Sequence, residues 1–241
     1  MELLNDNLLE AFAHGFYGYG NLGSAVWFVG MEEGGGDSVG EINKRLEIWK
    51  RGGRQLTEDI AEYHQALGQG YYFSGAIKNQ PTWNKLIRIV LAFQDKPSEL
   101  VDVKAFQKSE FARRDSDNCL LELLPLPSPS TSHWLYGQAS SLLWLRTRDI
   151  YKQHMLGARI GEIKKLIGKY GPRLVVFYGT GFNEHWRKIA GRDFKPLILD
   201  NKTAFYAKGG ETCYFIAMHP VAHGVTKNYF AELGRHARLN C

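Results

Sequence analysis

Four short apolar runs in this chain have the pattern of strands that are buried on both faces of a sheet. They occupy residues 25–29, 119–124, 174–178 and 213–218, and Gly, Pro, Asp or Asn bound each run. Segments with helical periodicity separate them, at residues 3–14, 42–50, 57–67, 83–93, 140–170 in one or two pieces, 181–190 and 227–236. This alternation predicts an α/β fold, a three-layer αβα sandwich around a central, mainly parallel four-stranded sheet. The Tyr-Gly-Tyr-Gly segment at residues 17–20 is interpreted as a turn.

Composition is that of a single soluble domain. No linker or repeat interrupts the pattern, so one domain over residues 1–241 is predicted. No apolar run approaches the ~18 residues that cross a bilayer, so no membrane partner is expected. Acidic residues lie among the leucines of residues 1–14, which is not the pattern of a secretory signal.

The number of cysteines and the net charge limit which cofactors and binding partners the chain is expected to have. The widely spaced Cys119, Cys213 and Cys241 provide neither a disulfide framework nor a four-cysteine metal site. We therefore expect a cytoplasmic monomer with no cofactor and no metal. The net charge of +5 mildly favours a polyanionic partner, although solvated helix faces explain the same charge.

Two polar motifs follow predicted strands far apart in the chain. Gly30-Met31-Glu32-Glu33-Gly34 ends the first apolar run, and Met218-His219-Pro220 ends the last. Parallel α/β sheets place ligands at the carboxyl ends of their strands. The two motifs therefore predict a carboxylate and a histidine facing one pocket, which is an arrangement for hydrolysis.

The order of these motifs resembles the uracil-DNA glycosylase-like superfamily over about residues 25–238. Residues 30–34 are similar to the G-M-N-P-G motif of its single-strand-selective branch and to the G-Q-D-P-Y motif of another branch. Residues 218–220 are similar to the H-P-S motif. The strand at residues 174–178, followed by Gly179, Phe182 and Trp186, resembles the strand and helix between those motifs.

Departures from the family motifs favour a modified cytosine over uracil as the substrate base. Glu32 stands where relatives carry the Asp or Asn that orients the attacking water, and Glu33 stands where they carry Pro. Gly34 replaces a Tyr that excludes C5 substituents in one branch, so a bulky C5 group is tolerated. Glu122 stands where relatives carry an Asn that recognises the base. An ionised Glu122 can accept a hydrogen bond from the exocyclic N4 amine of cytosine, and a protonated Glu122 can donate one to cytosine N3. A C5-modified cytosine is therefore expected, although the acid form of Glu122 also fits uracil.

The resemblance implies a DNA glycosylase that flips a modified or damaged base out of the stack. Glu32 is assigned to the sugar and water, and His219 to the departing base. The loop at residues 221–226 is similar to a strand-penetrating loop, with His223 or Val225 as its wedge. The base pocket is assigned to Phe28, Gly30, Met31, Glu33, Gly34 and Glu122, and DNA contacts to Ser128, Ser130, His223, Val225, Lys227 and Arg235.

Alternatives stay open at this point. Glu32 and Glu33 also fit a helix cap, and Glu122 also fits a buried ion pair with an arginine. Three functions are compatible with the pattern: a glycosylase acting in phage defence or in uracil repair, an inactive DNA-binding module of the same fold, and a nucleotide-binding enzyme. The last is disfavoured because Asp37 follows the glycine run and no phosphate-binding G-x-x-x-x-G-K-[ST] motif is present.

Overall fold

A computed structural model describes residues 3–241, which form one mixed sheet of eight strands covered by helices. Residues 1 and 2 of the predicted domain lie outside the described range. The order across the sheet is β3-β1-β4-β2-β5-β8-β7-β6. The strands are β1 (Gly18–Gly20), β2 (Val26–Glu32), β3 (Thr57–Glu58), β4 (Asn118–Leu124), β5 (Leu174–Tyr178), β6 (Lys195–Leu199), β7 (Lys202–Gly209) and β8 (Thr212–Ala217).

The four predicted strands form the middle of this sheet. Strands β4, β2, β5 and β8 pair in parallel, while β1 is antiparallel to β4 and β7 is antiparallel to β8. The predicted α/β class is therefore confirmed. The predicted four-stranded sheet is not confirmed, because two further strands extend it on each side.

Local chemistry explains the additional strands. The β6–β7 hairpin turns at Asp200 and Asn201, whose φ angles of 43° and 59° match the short turns that suit sheet twist. Strand β6 lies at the sheet edge, where its Pro196 is tolerated. The turn predicted at residues 17–20 is wrong, because Gly18–Gly20 is a buried strand. A Cβ on Gly18 would lie 2.1 Å from the carbonyl oxygen of Leu120, so only glycine allows this pairing.

Helices cover both faces of the sheet. Side chains of β2 alternate between two core clusters: Val26 and Phe28 belong to the cluster that contains Leu8 and Tyr229, and Trp27 and Val29 belong to the cluster that contains Trp186. The predicted helix at residues 57–67 begins later, because Asp59 caps the amides of residues 61 and 62. The helices are α1 (Asp6–Gly15), α2 (Val39–Arg51), α3 (Ile60–Leu67), α4 (Pro81–Phe93), α5 (Leu100–Ser109), α6 (Tyr136–Ala139), α7 (Arg148–Tyr170), α8 (Asn183–Ala190) and α9 (Lys227–Asn240).

A disulfide joins Cys213 of β8 to Cys241 across 28 residues, a pairing that the wide spacing of the cysteines did not predict. Such bonds are typical of oxidising compartments, so this one does not favour the cytoplasmic prediction. No helix within residues 3–241 is long and apolar enough to span a membrane.

Candidate functional site

The carboxyl ends of the central parallel strands bring several predicted site residues together. Gly30 of β2 pairs with Glu122 of β4, and Tyr178 at the end of β5 pairs with Ala217 of β8. The Tyr178 hydroxyl donates a hydrogen bond of 2.8 Å to Glu122 Oε1. A Cβ on Gly30 would lie 2.1 Å from that hydroxyl and 2.4 Å from Glu122 Oε2. Glycine at this position therefore makes room for the Glu122–Tyr178 pair.

Glu122 is a buried acid with an unsatisfied oxygen. Burial, together with the charges of Glu33 and Glu32, raises its pKa to about 8 against the lowering effect of the hydrogen bond from Tyr178 and of the Arg159 charge. Its Oε2 atom has no hydrogen-bond partner within the described chain. A pKa of about 8 keeps Glu122 mostly protonated at neutral pH, and its Oε2 is a buried oxygen without a hydrogen-bond partner.

The Glu122 carboxyl does not form the ion pair with a buried arginine that was the alternative to base recognition. Arg159 is the buried arginine nearby, but it donates to the backbone carbonyls of Leu123, Phe16 and Glu122 at 2.7–2.9 Å. Its guanidinium also stacks 3.6 Å from the centre of the Tyr17 ring. Arg159 thus fixes the backbone beneath the site and leaves the Glu122 carboxyl free.

His219 lies at the mouth of this cluster. Its ring centre is 5.9 Å from that of Tyr178 in an edge-on arrangement. Partial burial lowers its pKa, so the imidazole is neutral at pH 7. The amide of Val221 donates to Nδ1 at 3.4 Å, and we assign the proton to Nε2 on that basis. A neutral imidazole with a free N–H is a hydrogen-bond donor for a departing anion.

Glu32 is held in an ion pair that the sequence did not indicate. Arg148, the first residue of α7, donates through Nη2 to both carboxylate oxygens. Burial raises the pKa of Glu32, and the bond and charge of Arg148 oppose that rise. The helix-cap alternative is wrong for α2, because the Ser38 hydroxyl caps that helix by accepting from the Glu41 amide.

Glu33 belongs to a polar cluster with Tyr19 and Arg45 beside the glycine run. Its carboxylate accepts a 2.9 Å hydrogen bond from the Tyr19 hydroxyl and forms a 3.0 Å ion pair with Arg45. Arg45 also pairs with Glu41, which in turn accepts a hydrogen bond from the Gly36 amide. The carboxylate of Glu33 therefore helps to hold the glycine run in place, and its role in the base pocket stays a prediction.

Gly34 faces open space, because a Cβ placed on it meets no atom within 4 Å. Met31 is half-buried against the core. Phe28 is fully buried and packs on Phe111 with ring centres 6.5 Å apart. The assignment of Phe28 to the base pocket is therefore corrected, because its ring is buried in the core from the middle of β2.

Some of the residues predicted to contact DNA are buried, and the others are exposed to solvent. Ser128 is buried and its hydroxyl bonds to backbone carbonyls within the loop at residues 128–133, here called the Ser-Pro loop. Ser128 is therefore a structural residue of the loop, whereas Ser130 is exposed. Val225 is buried in the core and is not a wedge, while Val221 in the same loop is 57% exposed. The remaining predicted contacts are exposed: His223, Lys227 and Arg235.

Two surface clefts lie away from this edge, around the carboxyl-terminal ends of α7 and α8 and the β7–β8 turn. Their linings include Lys164, Arg187 and Arg192 but none of the side chains described above. Among residues 3–241, no three His, Cys, Asp or Glu side chains are grouped as metal ligands.

No family model and no curated protein sequence matches this chain significantly. The motifs at residues 30–34 and 218–220 therefore carry the family resemblance on their own.

Proposed function

We propose that this protein is a monofunctional DNA glycosylase with a uracil-DNA glycosylase-like domain, and that it removes a flipped-out, C5-modified cytosine. The observation that carries the proposal is the protonated Glu122, whose unpaired Oε2 lies over Gly30 at the carboxyl edge of the sheet. A buried carboxyl oxygen without a hydrogen-bond partner is costly in a folded protein, and a ligand at Oε2 would explain its presence.

Cytosine fits this acid by two hydrogen bonds. The Tyr178 hydroxyl donates to Oε1, which leaves the acid proton on Oε2. In the proposed complex Oε2–H donates to N3 of the base, and a remaining lone pair accepts from the N4 amine. Donation to N3 draws electrons from the base and makes it a better leaving group.

Breaking the bond between the sugar C1′ and the base nitrogen places positive charge on the sugar and negative charge on the base. In the proposed reaction His219 Nε2–H stabilises the departing base at its O2 oxygen. Glu32 faces the cationic sugar and accepts a proton from the water whose oxygen bonds to C1′. The departing base takes up a proton from solvent and Glu32 releases its proton to solvent, so the products are the neutral free base and an abasic site.

The open space at Gly34 supports the choice of a modified base. A substituent on C5 of cytosine would enter the space that a tyrosine fills in one branch of the resembling family. Phage DNA often carries bulky groups on this carbon, so we propose a role in defence against such DNA.

A second candidate is a DNA-binding module that recognises the flipped base without cutting. The ion pair between Glu32 and Arg148 favours it, because a carboxylate held by a guanidinium is a weaker base. Uracil excision in repair is the alternative within the glycosylase class, since a protonated Glu122 also fits uracil.

Strand cleavage at abasic sites tests the proposal. Oligonucleotides with uracil, hydroxymethylcytosine or glucosylated hydroxymethylcytosine are incubated with the wild type, Glu32→Gln, His219→Ala and the exposed-site control Glu10→Gln. We expect cleavage of the modified-cytosine DNA by the wild type and by the control, and its loss in the two site variants. Cleavage of uracil DNA alone indicates repair, and binding without cleavage on every substrate supports the inactive module.

A further inference from the structure

Arg148 joins the carboxylate at the end of β2 to the Ser-Pro loop. While its Nη2 donates to Glu32, its Nη1 donates to Ser128 Oγ at 3.0 Å. Longer bonds of 3.3 Å and 3.4 Å reach the carbonyl oxygens of Ser130 and His133. One guanidinium thus holds a candidate catalytic group and a candidate DNA-contacting loop at the same time.

This ion pair opposes the role proposed for Glu32. Burial leaves the pKa of Glu32 above its ordinary value, but Arg148 makes Glu32 a weaker proton acceptor than an unpaired carboxylate in the same place, and its positive charge weakens the stabilisation of a cationic sugar. The Glu32 and Arg148 side chains are only 9% and 13% exposed, so water and salt screen the pair little. The proposed reaction therefore requires Glu32 to be free of Arg148 when the glycosidic bond breaks.

We propose that Arg148 is a positioning residue that couples phosphate binding at the Ser-Pro loop to the release of Glu32. The inference rests on the proposed function, because the second partner of the guanidinium is a DNA phosphodiester. Arginine binds carboxylates and phosphates through the same fork of N–H donors, so one partner can replace the other. In the protein without DNA, Arg148 holds Glu32. Phosphate contact turns Arg148 toward the DNA and leaves Glu32 facing water and sugar.

Local bonding supports this exchange. The hydroxyls of Ser130 and Ser132 are exposed and lie 3.1 Å apart, where both can donate to a phosphate oxygen. Within the described residues Arg148 Nε has no hydrogen-bond partner, so rotation of the guanidinium breaks no bond there. The guanidinium lies 5.6 Å from the centre of the Trp134 ring, which offers it an apolar surface in either position.

The charges around Glu32 determine how its pKa changes when Arg148 moves away. Burial raises this pKa, and Arg148 and the more distant Lys152, both on α7, lower it. The other titratable groups that interact with Glu32 are Glu122, Tyr136 and Tyr151. Burial persists when Arg148 leaves, so release raises the pKa of Glu32.

The test is a titration of Glu32 by carboxyl ¹³C NMR, in which Glu32→Gln identifies the signal. It is run on the free protein and with a single-stranded oligonucleotide that carries an uncleavable abasic-site analogue. We expect DNA to raise the pKa of Glu32 by at least about one pH unit, the usual effect of losing an adjacent opposite charge. In Arg148→Met the pKa is already raised without DNA and changes little when DNA binds. The matched control Lys152→Met removes a cation on the same helix and retains the DNA-induced rise.

Base excision is assayed on the same preparations, so the coupling and the glycosylase proposal fail separately. Excision with no DNA-induced change at Glu32 overturns the coupling and leaves the glycosylase proposal standing. An equal rise in Arg148→Met also overturns the coupling, because phosphate charge alone then explains it. If the pKa of Glu32 rises with DNA in the wild type and in Lys152→Met but not in Arg148→Met, and no base is excised, the coupling is supported and the glycosylase proposal is overturned. If no DNA binds, both are overturned.

Discussion

Replacing Glu122 with Gln tests whether this buried carboxyl is protonated in the folded protein at neutral pH. Gln has nearly the same shape, accepts the hydrogen bond from Tyr178 and does not titrate. The wild-type pKa of about 8 lies well above the ordinary value of 4.5 for glutamate. The folded chain therefore keeps a proton that the unfolded chain loses as the pH rises above 4.5.

The sign and size of the stability difference follow from this shift. Below pH 4.5 both states are protonated, and the raised pKa costs nothing. Above it the wild type loses about 1.4 kcal/mol of unfolding free energy per pH unit relative to Gln, until the folded carboxyl ionises near pH 8. Between pH 5 and pH 7 Glu122→Gln should therefore gain about 3 kcal/mol over the wild type.

Urea unfolding at pH 5, 6 and 7 measures this gain. The change with pH is the informative quantity, because interactions of Gln that do not titrate cancel between the two pH values. Glu110→Gln, at an exposed position on the same protein, should follow the wild type at each pH. Parallel stability curves for the wild type and Glu122→Gln would refute the reasoning, since they would mean that Glu122 is ionised at neutral pH.

The pH dependence of base excision is a second measure of the protonation state of Glu122. If protonated Glu122 reads the base, wild-type excision should fall as the pH rises through about 8. Glu122→Gln cannot lose a proton, so any activity that it retains should lack this decline. A decline at the same pH in both proteins would assign it to another group.

Three further substitutions test the surroundings of Glu122. Gly34→Tyr should leave unfolding unchanged, because its Cβ meets open space, and should selectively remove excision of C5-bulky bases in the oligonucleotide assay. Gly30→Ala places a methyl group 2.1 Å from the Tyr178 hydroxyl, so excision should fall more than ~10-fold while urea unfolding shows a stability loss of about 1–3 kcal/mol. Arg45→Met leaves Glu33 and Glu41 without their partner and should cost about 3 kcal/mol in urea unfolding. A neutral result there would mean that the cluster beside the glycine run does not hold it in place.

The sequence alone determined the middle of the sheet and the edge where the candidate site lies. Strands β2, β4, β5 and β8 are apolar on both faces, and this composition is visible without any knowledge of neighbours. The family resemblance placed Gly30 and Glu122 in one pocket, and the two residues pair across the neighbouring parallel strands β2 and β4. The strands that were missed either lie largely exposed at the sheet edge and contain a proline, as β6 does, or are too short to show a period, as β1 is.

Only the tertiary structure decided which partner each site carboxylate has. Glu32 and Arg148 are 116 residues apart, and the sequence contains many equivalent arginines. The three acids differ in their surroundings: Glu32 bonds to an arginine, Glu33 joins a polar cluster, and Glu122 has an unpaired oxygen. Hydrophobic periodicity is a local property of the chain, whereas the protonation state of an acid depends on burial and on charges that folding brings to it from distant segments.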